Sequence, residues 1–109
     1  MIIKIIDNND NEMLKDIINR IGNEKYLEIE KEVNAFCDKC AIDGAISLVS
    51  CYGKDWTSSA MQAVYDVVGD YDKAALYAGV LFKEIITNSK YRFEIVKGKN
   101  GINLYYKRA

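Results

Sequence analysis

Three cysteines are the residues of this chain best suited to metal or redox chemistry: Cys37 and Cys40 form a Cys-x-x-Cys pair, and Cys51 follows. A structural zinc site takes four ligands, and the chain has no histidine. A redox-active pair needs a helix N-terminus, where the dipole lowers the thiol pKa, whereas the apolar periodicity places this pair inside a helix. We therefore interpret the cysteines as packed side chains and predict no metal and no cofactor. A thiolate metal site or an enzyme is the third-ranked hypothesis.

Residues for catalysis are scarce. A serine or cysteine nucleophile needs an adjacent base, most often histidine, so the usual triads are excluded. Asp66, Asp70 and Asp72 cluster near one predicted helix junction, where helix capping explains them more simply than a cation does. The glycines form no phosphate-binding loop. We predict that the protein is not an enzyme and has no catalytic residue. The one catalytic mechanism that the sequence leaves open is based on carboxylates alone.

The charge of the chain is divided unevenly along its length. The net charge is −1, but residues 83–109 carry seven Lys and Arg against two Glu, whereas residues 1–82 carry eight against fourteen Asp and Glu. Such an asymmetry indicates a charged partner. Alternatively, the lysines protect the edge of a small sheet from aggregation. Both interpretations stay open at this point.

Basic and aromatic residues alternate within a predicted C-terminal hairpin over 91–108. Tyr and Arg are enriched at protein interfaces, and the same residues suit phosphates and bases. We predict that six residues contact a partner: Arg92, Lys97, Lys99, Tyr105, Lys107 and Arg108. A winged-helix-like nucleic-acid-binding protein is the alternative, but a recognition helix exposes polar and basic residues and the preceding helix is apolar. The acidic ridge Glu24, Glu28 and Glu32 is a second candidate surface, or simply a solvated face.

The turn of the hairpin sets which residues share a face. The dipeptide Asn100-Gly101 favours a two-residue turn, which places Glu94 opposite Lys107. A four-residue loop over 98–101 places Glu94 opposite Tyr105 instead. Both registers predict the same faces: Phe93 and Ile95 lie with Leu104 and Tyr106, while Arg92, Glu94, Asn103, Tyr105 and Lys107 point away.

A central helix over 72–86 organises the predicted fold. Its segment Ala74–Phe82 is apolar on every side, so we expect it to be buried all round, and it is too short to span a bilayer. Asp70 is its predicted N-cap, and Gly22, Gly53 and Gly69 are predicted helix ends. Residues 43–52 are ambiguous between helix and strand; we favour a kinked or restarted helix.

Together these patterns predict one compact domain over residues 1–109 of the α+β class. It comprises an N-terminal strand over Met1–Asp7, three or four helices, and a C-terminal β-hairpin that completes a small antiparallel sheet. The N-terminus lacks signal-peptide features and the cysteine count is odd, so we expect a cytoplasmic protein without a membrane partner. The functional hypothesis is a small non-catalytic interaction protein, a regulator or inhibitor encoded by a bacterial mobile element or phage. Its partner is a protein or a protein–nucleic-acid complex, and its oligomeric state is left undetermined.

Overall fold

The computed structural model describes residues 8–98 and 101–109, which form five helices and one three-stranded antiparallel sheet. The helices are α1 (Asn8–Ile21), α2 (Asn23–Lys39), α3 (Leu48–Tyr52), α4 (Gln62–Val68) and α5 (Tyr71–Thr87), and the strands are β1 (Ala45–Ile46), β2 (Arg92–Lys97) and β3 (Asn103–Arg108). The α+β class is confirmed, whereas the predicted three or four helices are fewer than the structure contains. The strand predicted over Met1–Asp7 lies outside the described residues.

Helix α5 is the centre of the fold, as the sequence predicts. It packs against the four other helices and against β2. Six of its residues are buried: Ala74, Ala78, Leu81, Phe82, Ile85 and Ile86. The predicted cap is confirmed, because the Asp70 carboxylate accepts hydrogen bonds from the backbone N–H groups of Asp72 at 2.9 Å and Lys73 at 3.4 Å. Two orphan donors of the first turn are satisfied in this way.

The expectation that α5 is buried on every side is wrong. Leu76 is 65% exposed, and Gly79 and Val80 on the same stripe are half-exposed. Ala74, Ala78 and Leu81 form a buried face of α5, whereas the described residues leave the stripe that carries Leu76 partly uncovered. The all-apolar sequence of this helix therefore predicts its central position in the fold. It does not predict that every side of the helix is covered.

Residues 43–52 contain both of the structures between which the sequence is ambiguous. Ala45–Ile46 forms β1 and pairs with Tyr106 and Tyr105 of β3. Ser47 then begins α3 with a capping box, since its Oγ accepts from the Ser50 N–H at 3.0 Å and the Ser50 Oγ accepts from the Ser47 N–H at 2.8 Å. The favoured helix is right for α3 and wrong for β1, because a strand of two residues is too short to show alternation.

The register of the hairpin differs from both predicted registers. Glu94 lies opposite Tyr106, and Lys97 lies opposite Asn103. The Gly98 N–H donates to the carbonyl of Ile102 at 2.6 Å and closes the end of the ladder. The strands are therefore joined by an odd number of residues, whereas both predicted connections are even.

This one-residue difference reverses the faces of β3 relative to β2. Because side chains alternate along a strand, a shift of one residue moves every side chain to the other face. Tyr105 and Lys107 therefore share the inner face with Ile95 and Phe93, their direct partners, and both are buried. The prediction that Tyr105 and Lys107 point away from this face is wrong.

No helix within residues 8–98 and 101–109 combines the length and the hydropathy that crossing a bilayer requires.

Candidate interaction surface

Lys107 is a structural residue. Its side chain is only 5% exposed, and its Nζ donates to the carbonyls of Cys37 at 2.9 Å and Cys40 at 2.8 Å. These carbonyls belong to the C-terminal end of α2, where the macrodipole favours a cation. The same Nζ lies 3.8 Å from the centroid of the Tyr91 ring, a cation–π distance. Lys107 therefore stabilises the end of α2, and its burial removes it from the predicted contact set.

Tyr105 is part of the core. It is 3% exposed, and its ring packs edge-on against Phe82 with 5.5 Å between centroids. Burial raises the pKa of the Tyr105 phenol above its ordinary value, because desolvation disfavours the phenolate. The hairpin register turns Tyr105, like Lys107, to the inner face of the sheet, where it is buried. It is therefore removed from the predicted contact set.

Arg108 is engaged by two carboxylates of the same chain. Its Nη2 and Nε donate to Glu94 Oε1 at 2.7 and 3.0 Å, and its Nη1 donates to Asp43 Oδ1 at 3.0 Å. The hydrogen bonds to Glu94 and then Asp43 raise the pKa of the guanidinium. The pairing holds β3 to β2 and to the turn before β1, and it leaves little uncompensated charge for a partner.

Other cations of the basic C-terminal part also contact acids from the earlier chain. Lys83 lies 3.8 Å from Asp10, and Lys90 lies 3.9 Å from Asp38. Each pair is exposed and contributes little to stability. Their effect on charge is larger, because they compensate within the chain much of the asymmetry that the sequence offers as evidence for a partner.

Two predicted contact residues stay exposed, and both belong to β2. Arg92 and Lys97 form no ion pair with the residues that the structure describes. Between them Ile95 is 42% and Val96 41% exposed. We call Arg92, Ile95, Val96 and Lys97 the β2 surface. Lys99, the sixth predicted contact residue, lies outside the described residues.

Cys37 and Cys51 have the environment of packed side chains. Cys37 is buried, and burial raises the pKa of its thiol to about 11; burial also raises the pKa of Cys51. A protonated thiol is a poor nucleophile and metal ligand. All three cysteines are free. In the described part of the chain, no three Cys, Asp or Glu side chains are arranged to hold a metal ion.

The aspartates near the α4–α5 junction form local contacts. Asp70 caps α5, and Asp66 accepts a hydrogen bond from the Gln62 side chain one turn earlier in α4 at 2.8 Å. The Asp70 contact agrees with the capping interpretation, whereas the Asp66 contact is a side-chain hydrogen bond within α4.

The acidic ridge is divided between structural and solvated residues. The Glu32 carboxylate accepts from the Tyr52 hydroxyl at 3.0 Å and from the Ala60 N–H at 2.9 Å, so it joins α2 to α3 and to the segment before α4. Glu28 contacts only Lys25, at 3.6 Å, among its ion pairs in the described part, and Glu24 is exposed. The sequence contains no signal that separates Glu32 from Glu28, because the partners of Glu32 lie far along the chain.

A second exposed surface is apolar and follows the uncovered stripe of α5. Leu76, Val49 of α3 and Ile102 beside the hairpin are all exposed. They line a groove of about 520 Å³ together with Lys83 and Asp10. Neither Arg92 nor Lys97 lines this groove, although Asn103, the cross-strand partner of Lys97, does.

Comparison with known proteins does not add a family to these observations. No protein-family model, no curated protein and no solved structure matches the chain. Function has to be argued from the surfaces themselves.

Proposed function

We propose that the protein is a small non-catalytic interaction protein, a regulator or inhibitor of the kind encoded by phages and bacterial mobile elements. It binds a protein partner through the β2 surface. The observation that carries the proposal is the contrast within the hairpin: Lys107 and Arg108 are engaged by the fold, whereas Arg92 and Lys97 extend into solvent beside exposed Ile95 and Val96. A reducing cytoplasm suits the three free thiols.

The composition of the β2 surface supports a protein partner. Interfaces combine apolar contact area with Arg near the centre and a polar rim. Ile95 and Val96 lie on opposite faces of the strand, so each face of β2 presents one exposed apolar side chain. The cations at the two ends, Arg92 and Lys97, supply charge that selects an acidic partner and speeds association.

Nucleic-acid binding has less support from the geometry. A recognition helix needs exposed basic residues, whereas the exposed residues of α5 include Leu76 and Asp72, and Lys83 is paired with Asp10. Affinity for phosphates grows with the number of cations that contact them, and the fold engages two of the predicted ones. We therefore rank binding to a protein above binding to a nucleic acid.

Affinity capture tests the proposal. The chain is immobilised and used to capture proteins from the host in parallel with the double variant Arg92→Glu/Lys97→Glu. We expect the reversal to abolish retention of a specific protein, because two attractive contacts become repulsive. The matched control Lys15→Glu/Lys31→Glu reverses two exposed cations on α1 and α2 and should retain the same protein.

Two results would contradict the proposal. Capture that is unaffected by the β2 reversal would place the interface elsewhere. The wild type could instead retain generic duplex or single-stranded nucleic acid, with a steep loss of affinity as salt rises. That result would indicate that the partner is a nucleic acid rather than a protein.

A further inference from the structure

No strand of the described residues pairs with the outer edge of β2. The sheet order is β1-β3-β2, so β2 has a neighbour on one side only among the described residues. In an antiparallel pair, alternate residues bond across the ladder and the others face away. The Gly98–Ile102 bond belongs to this ladder, and alternation from it makes Val96, Glu94 and Arg92 the residues that bond to β3.

Phe93, Ile95 and Lys97 consequently direct their N–H and C=O groups to the outer edge. The other side of the sheet gives an independent check. The Lys107 N–H donates to the Gly44 carbonyl at 2.9 Å, so Lys107 bonds towards β1. Its partner Phe93 therefore has its backbone groups on the side away from β3.

A shallow groove follows this edge on the inner face. It has a volume of about 230 Å³ and is lined by Ile86, Thr87, Tyr91, Arg92, Phe93 and Ile95. Apolar side chains thus border the edge at alternate positions, which is the spacing at which a strand laid beside β2 would place its own side chains on that face.

The charges beside the edge are positive. Glu94 is already bonded to Arg108, which leaves Arg92 and Lys97 as the charges that an incoming strand would meet. They are five residues apart, about 17 Å along an extended strand, and lie on opposite faces. A second copy of the chain would bring the same positive charge to the edge, whereas an acidic segment brings the opposite sign.

We propose that the outer edge of β2 binds an extended acidic segment of a protein partner as an added β-strand. The segment places apolar residues along Phe93 and Ile95 and carboxylates on its opposite face, where one pairs with Arg92. A further carboxylate, on the Phe93 face but beyond the apolar residues, pairs with Lys97. Main-chain hydrogen bonds supply affinity and the side chains supply selectivity in this mode of recognition. The inference rests on the proposed function, since it specifies how the β2 surface makes its contact.

The probe is a blocked synthetic peptide in which glutamate alternates with valine and the valine nearest each end is replaced by glutamate. It is titrated to millimolar concentration while amide hydrogen exchange is followed by NMR. We expect exchange to slow by about tenfold or more at the amides of Phe93, Ile95 and Lys97. A peptide in which lysine replaces glutamate should leave them unchanged.

The variant Ile95→Pro tests the backbone contact. Proline removes an N–H that faces the outer edge and is tolerated in an edge strand, so the ladder to β3 should persist and peptide binding should be lost. Ile95→Ala removes the side chain and keeps the donor, and should still bind. Should Ile95→Pro fail to fold, Arg92→Glu/Lys97→Glu takes its place, with loss of peptide binding expected.

Several results would overturn strand addition. These are no protection by the glutamate peptide, equal protection by the lysine peptide, or full binding by folded Ile95→Pro. Slow exchange of the three edge amides in the free protein would also overturn it, because the edge would then be covered by the chain itself or by a second copy. The molecular mass in solution distinguishes a monomer from a dimer and so separates these two explanations.

The capture experiment separates this inference from the proposed function. Ile95→Pro keeps both cations. A partner that is lost on charge reversal but retained by Ile95→Pro leaves the proposed function in place and overturns strand addition. A partner retained by both variants overturns both.

Discussion

The two strands of the C-terminal hairpin carry similar residues and have different roles. β3 contains Lys107 and Arg108, and β2 contains Arg92 and Lys97. The β3 cations contact carbonyls and carboxylates of the same chain, whereas the β2 cations are exposed and unpaired within the described residues. The difference comes from position in the sheet, because among the described residues β3 is the middle strand and β2 is an edge. A count of basic residues therefore overestimates the surface that is available to a partner.

The comparison also shows how one residue of register determines which side chains of the hairpin are buried. With an even connection, Tyr105 and Lys107 would lie on the face opposite Phe93 and Ile95. The observed odd connection places them on the same face, where Lys107 reaches the end of α2. The following predictions test this division between a structural strand and an available strand, beginning with the largest expected effect.

Tyr105→Ala should cost about 3–5 kcal/mol in the free energy of unfolding, because removing a buried aromatic side chain leaves a cavity beside Phe82. Urea unfolding monitored by circular dichroism measures the change. The matched control is Tyr106→Ala, one residue along β3 and partly exposed on the outer face, which should cost about 1 kcal/mol or less. Equal costs for the two variants would contradict the register.

Lys107→Met should cost about 2–3 kcal/mol in the same measurement. The change keeps the apolar stem of the side chain and removes a charged donor from two carbonyls at the end of α2. The control on β2, Lys97→Met, should alter stability by no more than about 0.5 kcal/mol. A destabilising Lys97→Met together with a neutral Lys107→Met would reverse the proposed roles of the strands.

Alkaline pH should reveal the burial of Tyr105, for which β2 has no counterpart. Burial raises the folded pKa of Tyr105 above its value of about 10 in the unfolded chain. Its stabilising contribution is therefore complete below pH 10 and is lost as the pH rises through the folded pKa. The free energy of unfolding should fall more steeply above about pH 10 for the wild type than for Tyr105→Phe. Parallel curves for the two proteins would show that Tyr105 titrates as it does in the unfolded chain.

Arg108→Ala should lower the free energy of unfolding only slightly, because its ion pairs are exposed to solvent. The loss should shrink as salt is added, since salt screens such pairs. Arg92→Ala on β2 should change stability still less. An Arg108→Ala loss that persists at high salt would show that packing, rather than charge, holds this residue.

Local signals predict much of the fold. The aspartate before α5 and the glycines after α1, α3 and α4 act within one helical turn, and the structure confirms each of these ends. The alternation of β2 and β3 is also local, and both strands form within the predicted hairpin. The α+β class follows from these elements.

The parts that sequence reasoning missed depend on contacts between distant segments. β1 is defined by pairing with β3 rather than by its two residues. Glu32 differs from Glu28 only because Tyr52 and Ala60 approach it. Similarly, the exposure of Leu76 depends on which face of α5 its neighbours cover. The set of candidate contact residues differs between sequence and structure for the same reason. Lys97 and Lys107 are the same amino acid, and only the tertiary structure shows that one is exposed and the other buried.

Amide hydrogen exchange along β2 in the free protein tests the central claim most directly. The account predicts an alternating pattern, in which the amides of Phe93, Ile95 and Lys97 exchange about a hundredfold faster than those of Glu94 and Val96, since only the latter two donate to β3. Uniformly slow exchange along the strand would contradict the account, because the outer edge of β2 would then be closed to a partner.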